Sequence, residues 1–364
     1  MNRQEAQAAW RQDQVRLEQL GIIAPAVRTY WPDEWKRDWK LAMDALPPLQ
    51  TDPNSAIPMM LTAGIDPEVY RTFFAPMMAA EILGERKKGD WLTETEFFPV
   101  IEATGEVTSY GDFAETGRAG VNMNWPQRQS YHFQAIIEYG ERELERAGLG
   151  RINYVTELNK SAALTLNKFM NFMYFFGVNG LQNYGLLNDP NLNAVITPGP
   201  KAYSGTLRTW TSGGIVQATA NEVFADIQAV YGQLVAQTRG LVNLKSPMTL
   251  AMSPESAVGL TATNSFNVAV TDLLKKHFTN LDVKEATQYG ALSAINPQGV
   301  AAGNMMQLIA KEIDGQATGY CAFTEKMRAH KIIPAVSSFK QKTTSGGWGS
   351  ILRMSATIAA MVGI

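Results

Sequence analysis

Between Asn153 and Phe176, apolar or small residues recur in steps of three and four, at Val155, Leu158, Ala162, Leu166, Phe169, Met173 and Phe176. That spacing lays one stripe down the side of a helix. No proline or glycine interrupts it, Asn153 suits an N-cap and Gly177 a C-terminal stop. Roughly 24 residues at about 1.5 Å each make a rod about 36 Å long, the longest helical pattern in the chain. Asn159, Lys160, Asn167, Lys168 and Asn171 break up any run apolar enough for a membrane span, which needs about 20 residues. The pattern predicts a buried or half-buried scaffold helix.

Upstream, Met1 to Leu20 is polar with a thin face of Ala6, Trp10, Leu17 and Leu20, and Trp31, Trp35 and Trp39 recur every four residues. Those indoles either pack on the chain's own core or dock an arm on a neighbouring subunit. Pro47-Pro48 and Asp52-Pro53-Asn54 end the arm. Ile57 to Leu83, with Pro58, Pro67 and Pro76, reads as short helices or irregular structure. From Phe97 through Ile101, and again from Val107 to Gly111 and from Val121 to Trp125, the chain reads as extended segments separated by glycine turns. This long, weakly hydrophobic excursion would be poorly covered in an isolated domain, with open strand edges. An ordinary flexible loop is the other reading.

Gln129 to Tyr139 reads as a strand and Glu141 to Ala147 as a short charged helix, with Glu138/Arg142 and Glu143/Arg146 at ion-pair spacing. After the rod, Gly177 to Pro190 has the composition of consecutive tight turns, and Thr197 to Gly214 reads as turn-rich and exposed. Asn221 to Thr238 is an amphipathic helix through Val223, Ile227, Val230, Tyr231 and Leu234, capped by Thr219 or Asn221. Pro247 to Ser253 reads as a buried strand and Asn267 to Phe278 as a helix whose Lys275, Lys276 and His277 suit its C-terminus. Leu281 to Ala286 and Met305 to Ile313 read as strands. At the end come Phe339 to Thr344, a turn at Ser345-Gly346-Gly347-Trp348-Gly349, a strand from Ser350 to Met354, and an apolar Ala356 to Ile364 that must be buried in a sheet.

Composition narrows function mainly by exclusion. Thirty-two basic against thirty-four acidic residues make no polycation, so nucleic-acid binding is not the primary task. One cysteine, Cys321, excludes an intrachain disulfide framework and fits a reducing compartment or a virion alike. No secretory signal is visible in Met1 to Gln19. Only 18% of residues are charged while methionine occurs 16 times, which suits surface hidden in oligomer contacts.

His132, His277 and His330 are far apart and none has a partner at metal spacing. Neither a Walker-type nor a dinucleotide-type glycine loop occurs. Ser337-x-x-Lys340 with Lys342-Thr343-Thr344 imitates the motifs of penicillin-recognising enzymes, but two residues cannot separate elements that must lie apart in that fold. The carboxylate pairs Glu94/Glu96 and Asp112/Glu115 lie in the exposed excursion, where nothing would keep one acid protonated. No catalytic, cofactor-binding or metal residue is assigned and no cofactor is expected.

The rod ending in Phe175-Phe176-Gly177-Val178-Asn179-Gly180, followed by Tyr184-Gly185-Leu186-Leu187-Asn188-Asp189-Pro190-Asn191-Leu192, resembles the spine helix and following loop of tailed-bacteriophage major capsid proteins of the Hong Kong 97 type. From about Glu94 onward the order of elements is similar too: extended loop, returning strand, short acidic helix, spine helix, a helix ending in Leu274-Lys275-Lys276-His277-Phe278, and a terminal Gly363-Ile364. The resemblance implies an α+β fold with an N-terminal arm, an extended loop (94–125), a peripheral domain (126–218) with spine helix 153–176, an axial domain (219–335) and peripheral C-terminal strands (336–364); the aromatic and proline-rich first 90 residues depart from it and align to no family feature, and the chain there is read as the arm (1–53) and a peripheral-domain lead-in (54–93). It implies a non-enzymatic head protein of the virion, assembled in host cytoplasm. Hexamers and pentamers would form an icosahedral shell around double-stranded DNA contacted non-specifically, with scaffolding, portal or decoration proteins as further partners and no membrane. An encapsulin-like bacterial compartment shell is the rival within that fold. A soluble α+β metabolic enzyme without recognisable motif is the rival outside it.

Overall fold

The computed structural model describes residues 77–113, 115–149, 153–294 and 296–364. The expectations for the arm and its tryptophans, and for the lead-in as far as residue 76, lie outside the described residues. The chain divides into two compact units, one made of Pro76–Gly140 and Val155–Ile364 and the other including Glu141–Tyr154. The larger unit opens with α1 (Ala79–Leu83) and β1 (Glu85–Lys87), followed by the excursion: β2 (Thr95–Phe97), β3 (Val100–Gly105), β4 (Ala119–Asn124) and β5 (Gln127–Gln129). In chain order there follow strand β6 (Tyr131–Gly140), helix α2 (Glu141–Leu149), which belongs to the other unit, and the rod α3 (Tyr154–Phe176). Residues Val107 to Gly111, expected as strand, form the irregular tip between β3 and β4 instead, because the ladder stops where Gly105 meets Ala119.

Helix α3 runs 23 residues, as its periodicity predicts. Its buried side chains are Ala162, Leu166, Met170, Asn171, Met173, Tyr174 and Phe175, so Phe169 and Phe176 of the expected stripe are only half-buried. The shift arises because the last turns are covered on two sides. On one side the following loop folds back: Leu186 N–H donates to Tyr174 O and Leu187 N–H to Phe175 O, both at 2.9 Å. These bonds, with Ser350 Oγ donating to Tyr174 O at 2.6 Å, satisfy carbonyls that a helix end otherwise leaves open. Close approach forces glycine here, since a Cβ on Gly177 (φ +64°) would lie 2.1 Å from Asn183 O.

On the other side lies a five-stranded sheet in which β14 (Gly319–Ala329) and β16 (Ser338–Leu352) are central; β1 pairs in parallel with β14, and β6 and β15 (Ile333–Pro334) pair antiparallel with β16. The expected Ser345–Gly349 turn is not a turn, since β16 runs through it unbroken. Those glycines are required by packing instead. A Cβ on Gly347 would sit 2.5 Å from Met173 Cε of the rod, and one on Gly346 would sit 2.5 Å from His132 Cδ2. Glu138, on a strand, bonds Lys340 across the ladder at 3.0 Å, so the helical spacing to Arg142 does not govern it.

Beyond β7 (Thr211–Ser212) and β8 (Ile215–Val216), helix α4 (Ala220–Gln237) opens with a capping box of Thr219 and Glu222. Then come β9 (Met248–Met252), helix α5 (Val270–His277), β10 (Leu281–Glu285), β11 (Met305–Ala310), the small hairpin β12 (Glu312–Ile313) and β13 (Gln316–Ala317), and finally β17 (Ile358–Val362). The second sheet has the order β10-β9-β11-β17. Its two faces feed two cores by the strand's period of two. Met248, Leu250 and Met252 pack with α4 and α5, whereas Ala251, Ile309 and Ala360 pack with Phe175, Leu186 and Tyr289. Burial on both faces explains why β9, β11 and β17 are almost continuously apolar.

Two further expectations change. Sheet membership crosses the 335/336 boundary both ways, with β14 in the five-stranded sheet and β17 in the four-stranded one. Thr197 to Gly214 is not wholly exposed, because Lys201 and Trp210 are buried on α4, where Lys201 Nζ (2.5 Å) and Trp210 Nε1 (2.7 Å) both donate to Asp226 Oδ2.

Candidate assembly surface

The excursion is a hairpin arm with a fastened root and a bare shaft. At the root, Phe98 enters a small core with Tyr320, Ala322, Trp348 and Ile351. Asn183 Nδ2 donates to Gln129 O (3.0 Å) and to Gly347 O (3.2 Å), tying β5 to β16. Arg128 Nη2 donates to the buried Asp189 Oδ2 at 2.8 Å, and its guanidinium lies 4.7 Å from the Tyr184 ring centre. Trp91, just ahead of the arm, has the His132 ring at 4.6 Å, the Arg328 guanidinium at 5.5 Å and the His330 ring at 6.2 Å. Burial lowers the pKa of His132, against an upward pull from Glu325 and Glu94.

Along the shaft the register separates two kinds of face. Ile101 faces Met123, Ala103 faces Val121 and Gly105 faces Ala119, while the alternate pairs are Val100 with Asn124, Glu102 with Asn122 and Thr104 with Gly120. Directly opposed residues point to one side of a ladder, so one face is apolar and the other polar. Every residue of β3 and β4 is exposed, Ile101, Val121 and Met123 to about three-fifths. Beyond it, the tip carries Val107 and Phe113 fully exposed, and Tyr110 donates to Asp112 Oδ1 at 2.7 Å. A two-stranded ribbon with an uncovered apolar face is not stable alone. Its chemistry is that of an interface element.

The residues with catalytic potential are scattered. His277 packs on Phe224, Lys340 is paired with Glu138, and Thr343 and Thr344 are buried in β16, whereas Ser337, just ahead of that strand, is exposed. Cys321 is fully buried, which pushes its thiol up to about 12. Glu94 and Glu96 flank the arm root, and Asp112 and Glu115 lie at its tip. Among the described residues no group of three His, Cys, Asp or Glu side chains is placed to hold a metal ion, and no helix is long and apolar enough to cross a membrane. Sequence reasoning missed the meeting of His132 and His330 on Trp91, because residues so far apart along the chain offer no local signal.

A long helix braced by a sheet, a projecting hairpin and a second α+β layer make up the Hong Kong 97-type fold of phage capsid shells. The capsid of Myoviridae phage XM1 superposes with a TM-score of 0.67 at 13% identity, covering 85% of this chain and 100% of that one. The capsid of the empty GTA particle follows at 0.54 and 13%, covering 84% and 96%, and that of cyanophage P-SCSP1u at 0.51 and 8%, covering 82% and 92%. No curated protein sequence matches significantly. Residues 48–363 match the profile of the Pa193 gp26 major capsid protein, and the chain belongs to that family. It is therefore a major capsid protein, a structural component of the virion that forms the capsid shell, and the compartment-shell alternative has less support.

Proposed function

We propose that copies of this chain close into pentamers and hexamers through heterologous contacts, and that these join into an icosahedral shell around packaged double-stranded DNA, with no catalytic duty. The arm lies across the adjacent subunit. The observation that carries this reading is the apolar face of Ile101, Ala103, Val121 and Met123, exposed along its whole length in the single chain. Residues 94–125 serve as the extended loop, α3 as the spine of a peripheral domain, and the four-stranded sheet with α4 and α5 as the axial domain meeting its copies at each ring centre. Residues 1–53 act as an arm on a neighbour. Assembly takes place in host cytoplasm, the DNA is contacted non-specifically, and scaffolding, portal or decoration proteins join the shell.

The test replaces Val100–Asn124 by a short turn. Circular dichroism should be retained while sedimentation velocity and electron microscopy show loss of rings and particles. Normal particles from the shortened chain would overturn the role of the arm. A second truncation, starting at Asn54, should likewise fold but assemble poorly; complete particles would remove residues 1–53 from the interface.

A further inference from the structure

The segment that leads into the arm lies across the face of the five-stranded sheet turned away from α3. Tyr131 and Phe133 of β6 both pack on Phe169 of α3, so His132 between them points to that opposite face. The segment is fastened at Lys88, whose carbonyl accepts from Trp348 Nε1 at 3.0 Å, and at Phe98, which enters the small core with Tyr320 and Trp348. Between these points the half-buried Trp91 closes over His132, ring centres 4.6 Å apart and planes at 73°. The imidazole has no room to retreat: its Nε2 lies 3.3 Å from Thr324 Oγ1, and a Cβ on Gly346 would sit 2.5 Å from its Cδ2. His330 reaches the same indole at 6.2 Å, with its Nε2 held 3.0 Å from the buried Thr344 Oγ1.

The charges around these two imidazoles come from three segments. Strand β14 supplies Glu325 and Arg328, paired at 3.6 Å, with the guanidinium 5.5 Å from the indole centre. The segment into the arm supplies Glu94, and Asp90, which lies 4.0 Å from Lys87. Strand β16 supplies Lys342, whose carbonyl accepts from His330 N–H at 2.9 Å, beside the uncharged Thr344 and Gly346. While Trp91 covers it, His132 is dehydrated, and that cost to its charged form outweighs the attraction of Glu325 and Glu94. Adding a proton to His330 puts a further cation at an edge that already carries Arg328 and Lys342. Protons therefore favour whichever state uncovers the rings. We propose that Trp91 is a proton-released latch on the arm's root: protonation of His132 and His330 expels the indole and frees the segment between Lys88 and Phe98 while both sheets stay folded.

Hydrogen exchange of the full-length, unassembled chain from about pH 8 to pH 5, corrected for the intrinsic rate, reads the latch. Two amides report it: Thr93 N–H, which donates to Asp90 O at 3.0 Å, and Ser130 N–H, which donates to Glu94 O at 2.9 Å. Their protection should fall by about tenfold per pH unit for each proton taken up on opening, while the amides of β9 and β11 keep theirs. The double variant His132→Gln/His330→Gln should flatten that profile, and Trp91→Ala should leave both amides weakly protected at every pH. Protection that does not change with pH in the wild type, or a fall that the double variant retains, overturns the latch. A Trp91→Ala chain with the wild-type profile does so as well, because the indole is then not what the protons release. Loss of protection in β9 and β11 in step with Thr93 and Ser130 makes the event global acid unfolding and overturns it too.

Discussion

Arg128 Nη2 and Asp189 Oδ2 meet at 2.8 Å, with the Asp189 side chain fully enclosed and that of Arg128 only 11% exposed. The pair joins the last root strand of the arm to the loop that wraps the end of α3. Stacking of the guanidinium on Tyr184 holds the pair in a fixed orientation and anchors the arm's root to that loop.

Removing the cation strands a buried carboxylate. Arg128→Ala should therefore cost about 3–5 kcal/mol of stability, far more than an exposed pair would. Arg128→Lys should restore only part, because an ammonium cannot reproduce the planar stack. Urea unfolding of the unassembled chain measures both, and an unchanged midpoint for Arg128→Ala would show that the root does not depend on this contact.

Burial along α3 ranks its side chains differently from the sequence stripe. Met173 is 0% exposed, so Met173→Ala should cost about 2–5 kcal/mol through the cavity it leaves. Phe169 is half-buried against Phe133 and Tyr131, and Phe169→Ala should cost about 1–2 kcal/mol, below the full burial value of about 3 kcal/mol for such a ring. Equal shifts of the two urea midpoints would contradict that order.

The elements that sequence revealed were those whose causes are local. The period of α3, the Thr219 cap and the cationic end of α5 each lie within a few residues of their effect. Distant partners were invisible. Lys201 and Trp210 looked exposed because Asp226 lies far along the chain, and the Ser345–Gly349 run looked like a turn because a missing Cβ does not say whether φ or a neighbour requires it. The arm was legible as poorly covered, but its apolar face emerges only from the β3/β4 register.

Glycine chemistry within β16 separates those two causes. Gly349 has φ +74°, and a Cβ there would lie 2.3 Å from Tyr184 O, a backbone atom that cannot yield cheaply. At Gly347 the nearest atom is the end of the flexible Met173 side chain. Gly349→Ala should prevent stable folding, whereas Gly347→Ala should fold with a lowered melting temperature. Calorimetry showing the reverse order would mean that the rod, rather than the Tyr184 loop, is the less yielding neighbour.

Proton linkage at the arm root has a definite sign. Burial favours the neutral form of His132, so its folded pKa lies below the ordinary 6.5 despite Glu325 and Glu94. Its contribution to stability is thus complete above about pH 6.5 and is lost as pH falls through the lowered value. Unfolding midpoints of the wild-type chain and His132→Gln, compared from about pH 8 to pH 5, should show a steeper acid-side loss in the wild type. Parallel curves would assign the acid sensitivity to other groups.

The arm's dependence on a neighbour should be visible in hydrogen exchange. Pairing within β3 and β4 protects only the inward-facing amides of a two-stranded ribbon, and none of its side chains is buried to hold the ribbon closed. In the unassembled chain, amides from Val100 to Asn124 should exchange by local opening, near the rate of an unstructured peptide. Those of β9 and β11, buried on both faces, should exchange only with global unfolding. In assembled shells the arm should gain protection through its whole length, first along Ile101, Ala103, Val121 and Met123 if that face is the one covered. Strong protection already present in the isolated chain would mean the hairpin packs on its own subunit. Fast exchange persisting in the shell would mean that the exposed face meets nothing there.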